Sequence, residues 1–323
     1  MMTPRPRITA AFLALLLLAP AAQAAKYAGD AFSLGVGARG LALGGAVVAG
    51  PFDASAPYWN PAGMTELRGR SVLAMHAETF GSLLNHDFAG YVNHCGDSSA
   101  TVQAYGFYFY YLGGGGIKIT QLNEYQRPEV VREESHADIL LAAALAGQLR
   151  PNLRFGLTAK IIYRDLGPES GQGLSVDAGL LYDLHPSLRL GLTVTDVTTG
   201  FIRYPGETSD NGSYSESIYP TVKPGLLMHH SLGDFNGRFV ASGDIKFESL
   251  GEAAQASTGS LSLDSHFGLE VDYLAVAFGR AGFDIGRFTA GAGVALRRVT
   301  VDFAYLHHGE LDDTFRVSAG LHW

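Results

Sequence analysis

Apolar side chains alternate with polar or small ones from about residue 70 to the end of the chain, in segments of about ten residues that end at turn residues. In one clear example, Leu157 and Ile161 alternate with Thr158 and Lys160. Because neighbouring side chains on a strand point to opposite faces, this pattern predicts β-strands with one apolar and one polar face. Strands of about ten residues are long enough to cross a membrane when tilted.

Fourteen segments follow this pattern. We predict strands at 70–80, 85–94, 99–112, 136–149, 152–165, 172–184, 187–197, 221–232, 237–248, 264–274, 275–284, 286–296, 298–307 and 313–323. An even strand number is typical of single-chain bacterial barrels. Long polar stretches at 113–134, 198–220 and 249–263 alternate with short turns, as extracellular loops alternate with periplasmic turns. The predicted fold is an all-β transmembrane antiparallel barrel.

A soluble β-sandwich shows the same alternation, with its apolar face turned inward. The strands here are long for a sandwich. Aromatic residues lie near the strand ends, as in an interfacial girdle, and the last residue is the aromatic Trp323. These features favour the membrane barrel.

The first 24 residues have the features of a secretory signal peptide. Arg5 and Arg7 precede an apolar run at 8–19, and Ala22 and Ala24 provide a small-residue cleavage site. The run is too short for a transmembrane helix, and no later apolar stretch reaches that length. We expect cleavage after Ala24 and export to the outer membrane of a Gram-negative-type bacterium.

Residues 25–69 do not alternate and are rich in glycine and turn residues. An irregular backbone cannot face lipid, because its polar groups would be unsatisfied there. We therefore expect this segment in the periplasm or in the barrel lumen. The predicted domains are a signal peptide at 1–24, an N-terminal plug at 25–69 and a barrel at 70–323.

Composition argues against nucleic-acid binding and against a disulfide within the chain. The chain has 41 glycines, only 17% charged residues and a net charge of −8, which argues against nucleic-acid binding. Its single cysteine, Cys95, excludes an intramolecular disulfide.

The chain resembles the FadL-like outer-membrane proteins, and within them the PorV/PorQ group. The most specific matching motifs lie in the plug, and weaker ones in the later strands: Gly35-Val36-Gly37-Ala38-Arg39, Leu43-Gly44-Gly45-Ala46, Asp53-Ala54-Ser55-Ala56, Tyr58-Trp59-Asn60-Pro61-Ala62-Gly63, Leu190-Gly191-Leu192-Thr193, His266-Phe267-Gly268-Leu269-Glu270, Arg280-Ala281-Gly282-Phe283 and Val301-Asp302-Phe303-Ala304-Tyr305. The resemblance implies a fourteen-stranded barrel with its N-terminal segment folded inward as a hatch. The sequence departs from the family at one point: the family usually has Asn or Gln near this position, and this chain has Asp196.

Two functions follow from this resemblance. FadL passes hydrophobic molecules, so the leading hypothesis is passage of hydrophobic small molecules across the outer membrane, with the plug as gate. PorV-like proteins serve type IX secretion, so the alternative is a secretion component that binds exported proteins. A structural envelope protein is the third hypothesis. The expected partners are outer-membrane lipid, the barrel assembly machinery and one of these two kinds of cargo.

The candidate site residues lie mainly in the plug. The plug and gate residues are Gly35, Gly37, Arg39, Gly44, Gly45, Asp53, Asn60, Pro61 and Gly63. The turn at Asn60 and Pro61 is either a ligand gate or only the end of the plug. Tyr105, Phe107 and Phe109 either line a ligand pocket or form an interfacial belt. Trp323 is the expected signal for the assembly machinery.

Twelve charged residues fall on the polar face of the strands, where they form either a substrate path or a network of paired charges that anchors the plug. They are Arg154, Lys160, Arg164, Asp177, Asp183, Arg189, Asp244, Lys246, Glu270, Asp272, Arg287 and Asp302. The adjacent histidines at 229–230 and 307–308 point to opposite faces and cannot chelate a metal from one side. No local catalytic motif is present, so we expect neither an enzyme nor a cofactor.

Overall fold

The computed structural model describes residues 29–79, 83–96, 101–206, 212–248, 250, 253–309 and 312–323. The predicted signal peptide and the first residues of the predicted plug lie outside the described residues. Within the described part of the chain, no helix has the length and apolarity needed to cross a membrane.

The structure is dominated by one antiparallel sheet. The strands are β1 (Arg70–Thr79), β2 (Leu84–His94), β3 (Val102–Leu122), β4 (Pro128–Arg150), β5 (Leu153–Asp165), β6 (Ser170–His185), β7 (Leu188–Thr195), β8 (Gly200–Tyr204), β9 (Tyr214–Ile218), β10 (Thr221–Leu232), β11 (Phe235–Lys246), β12 (Ala256–Thr258), β13 (Leu261–Tyr273), β14 (Ala277–Asp284), β15 (Arg287–Leu296), β16 (Val299–Leu306) and β17 (Thr314–His322). Before β1 come two short α-helices and two 3₁₀ turns, at Ala38–Ala42, Ala56–Trp59, Asp30–Phe32 and Pro61–Glu66.

Fourteen of these strands close into a barrel. β1 to β7 pair in sequence, β7 pairs with β10, β10 with β11, β11 with β13, and β13 to β17 again pair in sequence. The ring closes where β17 pairs with β1. The predicted fourteen-stranded barrel is confirmed, and most predicted strand boundaries lie within about three residues of the observed ones.

The three long polar stretches predicted as loops contain strands. The predicted loop at 113–134 is mostly strand, because β3 continues to Leu122 and β4 already begins at Pro128. The glycine run at 113–116 interrupts the alternation of apolar and polar residues, so the sequence gives no signal that the strand continues. The predicted loop at 198–220 contains β8 and β9, which form a hairpin, and β8 pairs with the first part of β6. The predicted loop at 249–263 contains β12, which pairs with β13.

The two faces of the barrel differ in chemistry. Leu141 and Ile161 are 52% and 58% exposed on the outer face, whereas Glu270 and Thr158 are fully buried on the inner face. The inner face is mixed, because its charged and polar side chains share it with a buried apolar cluster that includes Leu73, Phe88 and Leu140. The exterior is apolar, as expected for a transmembrane barrel.

The described part of the predicted plug is residues 29–69 (the N-terminal segment), and it lies inside the ring of strands except for its exposed last residues, Arg68 and Gly69. The barrel has a long-loop end, which carries the β3–β4 hairpin tip and residues 196–206 and 212–220. Its short-turn end carries the turns at 151–152 and 186–187. Asp30 lies near Lys246 at the long-loop end, and Glu66 contacts Arg154 at the short-turn end. The N-terminal segment therefore runs through the whole length of the lumen.

Candidate functional site

Nine inward-facing glycines meet the N-terminal segment, one on each of nine strands. They are Gly90, Gly106, Gly156, Gly179, Gly191, Gly225, Gly268, Gly282 and Gly291, and we call them the glycine ring. A Cβ atom built on Gly191 would lie 2.5 Å from the carbonyl oxygen of Val48, and one on Gly268 would lie 2.6 Å from that of Leu43. At these positions the segment approaches the wall so closely that only glycine leaves room.

A cluster of ion pairs ties the segment to β13. The Nε and Nη2 atoms of Arg39 donate to Glu270 at 2.8 and 2.6 Å. Glu270 also accepts from Arg280 at 2.6 Å and from Arg238 at 2.8 Å. The guanidinium of Arg39 is permanently charged, as arginine side chains in proteins are.

A second group of ion pairs holds the other end of the segment. Glu66 pairs with Arg154, and its second carboxylate oxygen lies 2.6 Å from Arg189. Both arginines also contact Asp183, at 2.5 and 2.8 Å. The segment is thus fixed at the short-turn end by charge as well as by packing.

The turn at Asn60 and Pro61 is clamped in the middle of the lumen. Asn60 is fully buried, and its amide nitrogen donates to the carbonyl oxygens of Val48 and Leu180 at 2.8 and 3.1 Å. A Cβ atom on Gly179 would lie 2.1 Å from the Asn60 side-chain oxygen, and one on Gly156 would lie 2.4 Å from the Pro61 carbonyl carbon. The turn therefore has no free space around it, and its role as a gate stays a prediction.

The other predicted plug residues shape the segment itself. Gly35, Gly37, Gly44 and Gly45 all have positive φ angles between 64° and 77°, a region that favours glycine. The Asp53 carboxylate accepts hydrogen bonds from the backbone N–H and hydroxyl of Ser55 at 2.8 and 2.6 Å, which starts the second helix. Gly63 lies against the ring of Phe52.

The first residues of the segment, 29–35, are held differently, and we call them the N-terminal strap. Their contacts are mainly side-chain hydrogen bonds to backbone carbonyls. Tyr110 donates to Ala31 at 2.5 Å, Tyr58 donates to Phe32 at 2.8 Å, and Arg316 donates to Gly35 at 2.9 Å. Several strap residues are partly or fully exposed.

An aromatic cluster lies beneath the strap. The ring of Tyr58 stacks on Tyr110 with centroids 6.3 Å apart and meets Tyr108 edge-on at 6.1 Å. Phe32 of the strap packs edge-on against Tyr110 at 5.9 Å. Beside this cluster is a cavity of about 100 Å³ at the long-loop end of the lumen. Its lining includes both aromatic and charged groups, among them Trp59 and Lys160.

The three predicted ligand-lining residues do not face this cavity. Phe107 and Phe109 are 51% and 38% exposed on the outer face of β3, and Tyr105 lies on the same face. The inward aromatic residues of β3 are instead Tyr108 and Tyr110, which sequence reasoning did not select. Trp323 lies directly after β17, with its backbone N–H and C=O both bonded to Arg70 at 2.9 Å, and its role in assembly stays a prediction.

Most of the predicted inward charges do form pairs inside the barrel. Arg287 is the exception, because it is exposed at the start of β15 and enters no ion pair with another described residue. Sequence reasoning also missed several members of the network: Glu66, Asp138, Asp196, Lys223, Arg238 and Arg280. It missed the buried Arg316 as well, which donates to the carbonyl oxygen of Gly35. The alternation marks Arg238 as inward-facing, but nothing local marks Glu66, which precedes the first strand. No group of three or more potential metal ligands occurs among the described residues.

Comparison with solved structures shows barrels of similar architecture. A deletion mutant of the monoaromatic hydrocarbon channel TodX has a TM-score of 0.55 and 10% sequence identity, covering 89% of this chain and 99% of that one. The Pseudomonas putida toluene transporter TodX has a TM-score of 0.50 and 12% identity, covering 88% and 96%. A FadL homologue from Pseudomonas aeruginosa has a TM-score of 0.46 and 14% identity, covering 85% and 95%.

No protein-family model matches the chain, and no curated protein matches its sequence. At sequence identities this low, the structural similarity shows the fold. The comparison therefore supports a barrel of the TodX type, whereas membership of the FadL-like proteins and of their PorV/PorQ group stays a prediction.

Proposed function

We propose that the protein lies in the outer membrane of a Gram-negative-type bacterium and passes hydrophobic small molecules across it. The observation that carries this proposal is a barrel of the TodX type whose lumen is occupied by its own N-terminal segment. Such a lumen has no room for free diffusion of large polar solutes. Passage then requires part of the segment to move, so the segment acts as a plug with a gate.

The site near the strap offers a small molecule both aromatic side chains and paired charges. The cavity of about 100 Å³ lies beside Tyr58, Tyr108 and Phe32, and much of its remaining lining is polar. The charged groups that share the cavity are largely compensated, because Lys160 pairs with Asp177 and Asp196 at 2.6 and 2.8 Å. We infer that monoaromatic hydrocarbons are the most suitable first substrates to test.

The experiment compares uptake of radiolabelled toluene into cells that carry the protein in their outer membrane with uptake into cells that lack it. Glycerol, which is small and polar, is the control solute. We expect faster toluene uptake and unchanged glycerol uptake when the protein is present. Equal toluene uptake in both strains would contradict the transport function.

One observation favours the alternative of a secretion component that binds exported proteins. The β3–β4 hairpin projects past the barrel rim, because β2 stops pairing at Gly113 and β5 stops at Ala137. Its tip exposes apolar side chains, among them Tyr125 and Val131. Deleting residues 117–131 separates the two functions: transport predicts normal toluene uptake, whereas the secretion alternative predicts loss of exported proteins at the cell surface in the native organism. An effect on neither favours the structural envelope protein.

A further inference from the structure

The outer wall of the barrel contains a large apolar depression. It has a volume of about 1260 Å³ and extends from β16 across β17 and β1 to β6. Alanines on five of these strands provide much of its lining: Ala74, Ala89, Ala143, Ala159 and Ala319. Larger outward side chains, such as Phe109 and Leu174, complete the lining. The wall is therefore concave here, and its floor is made of small side chains.

The depression reaches the short-turn end of the barrel, where arginines cluster. The part of the depression nearest the short-turn end is lined by three paired neighbours, Val299 of β16, Leu321 of β17 and Val72 of β1. The next residues toward the short-turn end include four arginines: Arg68, Arg70, Arg297 and Arg298.

Backbone contacts place these arginines close together. The Arg70 backbone bonds to Trp323, and the Arg298 carbonyl accepts from the N–H of His322, both at 2.9 Å. Because β16, β17 and β1 are neighbours, the backbones of Arg70 and Arg298 are two strand spacings apart, roughly 10 Å. A single phosphate group between these two positions would be within reach of both side chains.

The charges of this cluster are not compensated by the protein. All four arginines are exposed, and none of them forms an ion pair with another residue in the described part of the chain. At the same end of the barrel, Arg154 and Arg189 both pair with carboxylates inside the lumen. The outer cluster therefore has four positive charges available to an external anion.

We propose that the depression and the arginine cluster together bind an anionic phospholipid of the periplasmic leaflet. The acyl chains fill the alanine-floored depression, and the phosphate binds Arg70 and Arg298 through charge-assisted hydrogen bonds. The assignment of the leaflet follows from the short turns, which face the periplasm in such barrels. A second copy of this chain fits poorly, because two concave faces cannot fill each other. This proposal rests on the proposed outer-membrane location.

Native mass spectrometry tests the headgroup part. The full-length protein is reconstituted in vesicles of phosphatidylglycerol and phosphatidylethanolamine, extracted in mild detergent, and its retained lipids are identified. We expect phosphatidylglycerol to be enriched over its share of the vesicle. The double variant Arg70→Gln, Arg298→Gln should lower this enrichment on the order of tenfold. The control Arg150→Gln removes an exposed arginine at the same end, outside the depression, and should retain the lipid.

The double variant Ala74→Leu, Ala89→Leu tests the depression by filling its floor. We expect it to lose the retained lipid, whereas Ala281→Leu, an exposed position outside the depression, should keep it. Each variant is first checked for a folded barrel by its faster migration when unboiled on a detergent gel. Lipid retention by the filled variant would overturn the proposal by showing that the depression is not used. Equal enrichment in the wild type and the arginine variant would overturn it as well.

Failure of this proposal is distinguishable from failure of the proposed function. A wild-type protein that inserts into the vesicles but retains no anionic lipid overturns only the lipid site. A protein that does not insert at all contradicts the membrane location and with it both proposals.

Discussion

The N-terminal strap (29–35) and the later part of the segment (36–67) lie in the same lumen but are held by different contacts. The backbone of the later part lies directly against the backbone of the glycine ring. The later part also contains the charged Arg39, which pairs with Glu270. The strap is held by hydrogen bonds from Tyr58, Tyr110 and Arg316 to its carbonyl groups. These bonds come from single side chains, two of which, Tyr110 and Arg316, are buried. We expect the later part to be fixed and the strap to be the part able to move, because the segment atoms nearest the ring glycines all belong to the later part.

The largest effect is expected from removing the charge that fixes the later part. Glu270→Gln leaves Arg39, Arg238 and Arg280 without this partner in the lumen, and breaking a buried ion pair costs roughly 3–5 kcal/mol. We expect a clear fall in the temperature at which the barrel loses its fast-migrating form on a detergent gel. Asp87→Asn, which breaks the exposed pair with His76, is the control and should change stability by less than about 1 kcal/mol. Similar shifts for both variants would contradict the anchoring role of Glu270.

The next largest loss of stability is expected from a substitution in the glycine ring. Gly191→Leu forces a side chain into the backbone at Val48, and overpacking of this kind costs roughly 1–3 kcal/mol. The matched control is Gly279→Leu, because no atom lies within 4 Å of a Cβ atom built at that glycine. Thermal unfolding of the two variants checks the expectation. If Gly191→Leu is as stable as Gly279→Leu, the segment does not press against the wall.

A variant in the buried turn at Asn60 and Pro61 tests whether this turn is a fixed element or a gate. Asn60→Ala removes the buried side-chain donor to the carbonyl groups of Val48 and Leu180, which costs about 1–3 kcal/mol. If the turn is fixed, the variant loses stability but single-channel conductance in planar bilayers stays at the wild-type value. A higher conductance at unchanged stability would place the gate at Asn60 and Pro61.

The smallest effect on stability is expected at the strap. Tyr110→Phe removes one hydrogen bond, to Ala31, worth roughly 0.5–1.5 kcal/mol. Toluene uptake should nevertheless rise, because the strap is released more often. Tyr305→Phe, which removes a hydroxyl bonded to Asp313 at the barrel rim, is the control and should leave uptake unchanged. A Tyr110→Phe protein with wild-type uptake would contradict the assignment of the strap as the mobile part.

The sequence predicts the barrel far better than its interior. Alternation is a local signal, so the strand predicted at 286–296 agrees with the observed Arg287–Leu296. The glycine ring depends on contacts between distant parts of the chain. Gly179 and Gly191 fall on the polar face of the alternation, but nothing near them shows that Asn60 and Val48 pack there.

The ion pairs are unpredictable for the same reason. Arg39 and Glu270 are 231 positions apart, and either residue alone fits a solvated lumen as well as a paired one. The concave outer wall is likewise a property of the closed barrel. Its alanines look like ordinary members of apolar strand faces until their strands are placed side by side.

The central claim is that the N-terminal segment closes the lumen, and single-channel conductance in planar bilayers tests it most directly. The proteins compared are the full chain and a variant lacking residues 26–62, each confirmed as a folded barrel by its faster migration when unboiled. The account predicts a markedly higher and steadier conductance for the truncated barrel, because about fourteen strands enclose a water-filled bore once the segment is removed. A truncated barrel that folds but conducts no better than the full chain would contradict the claim.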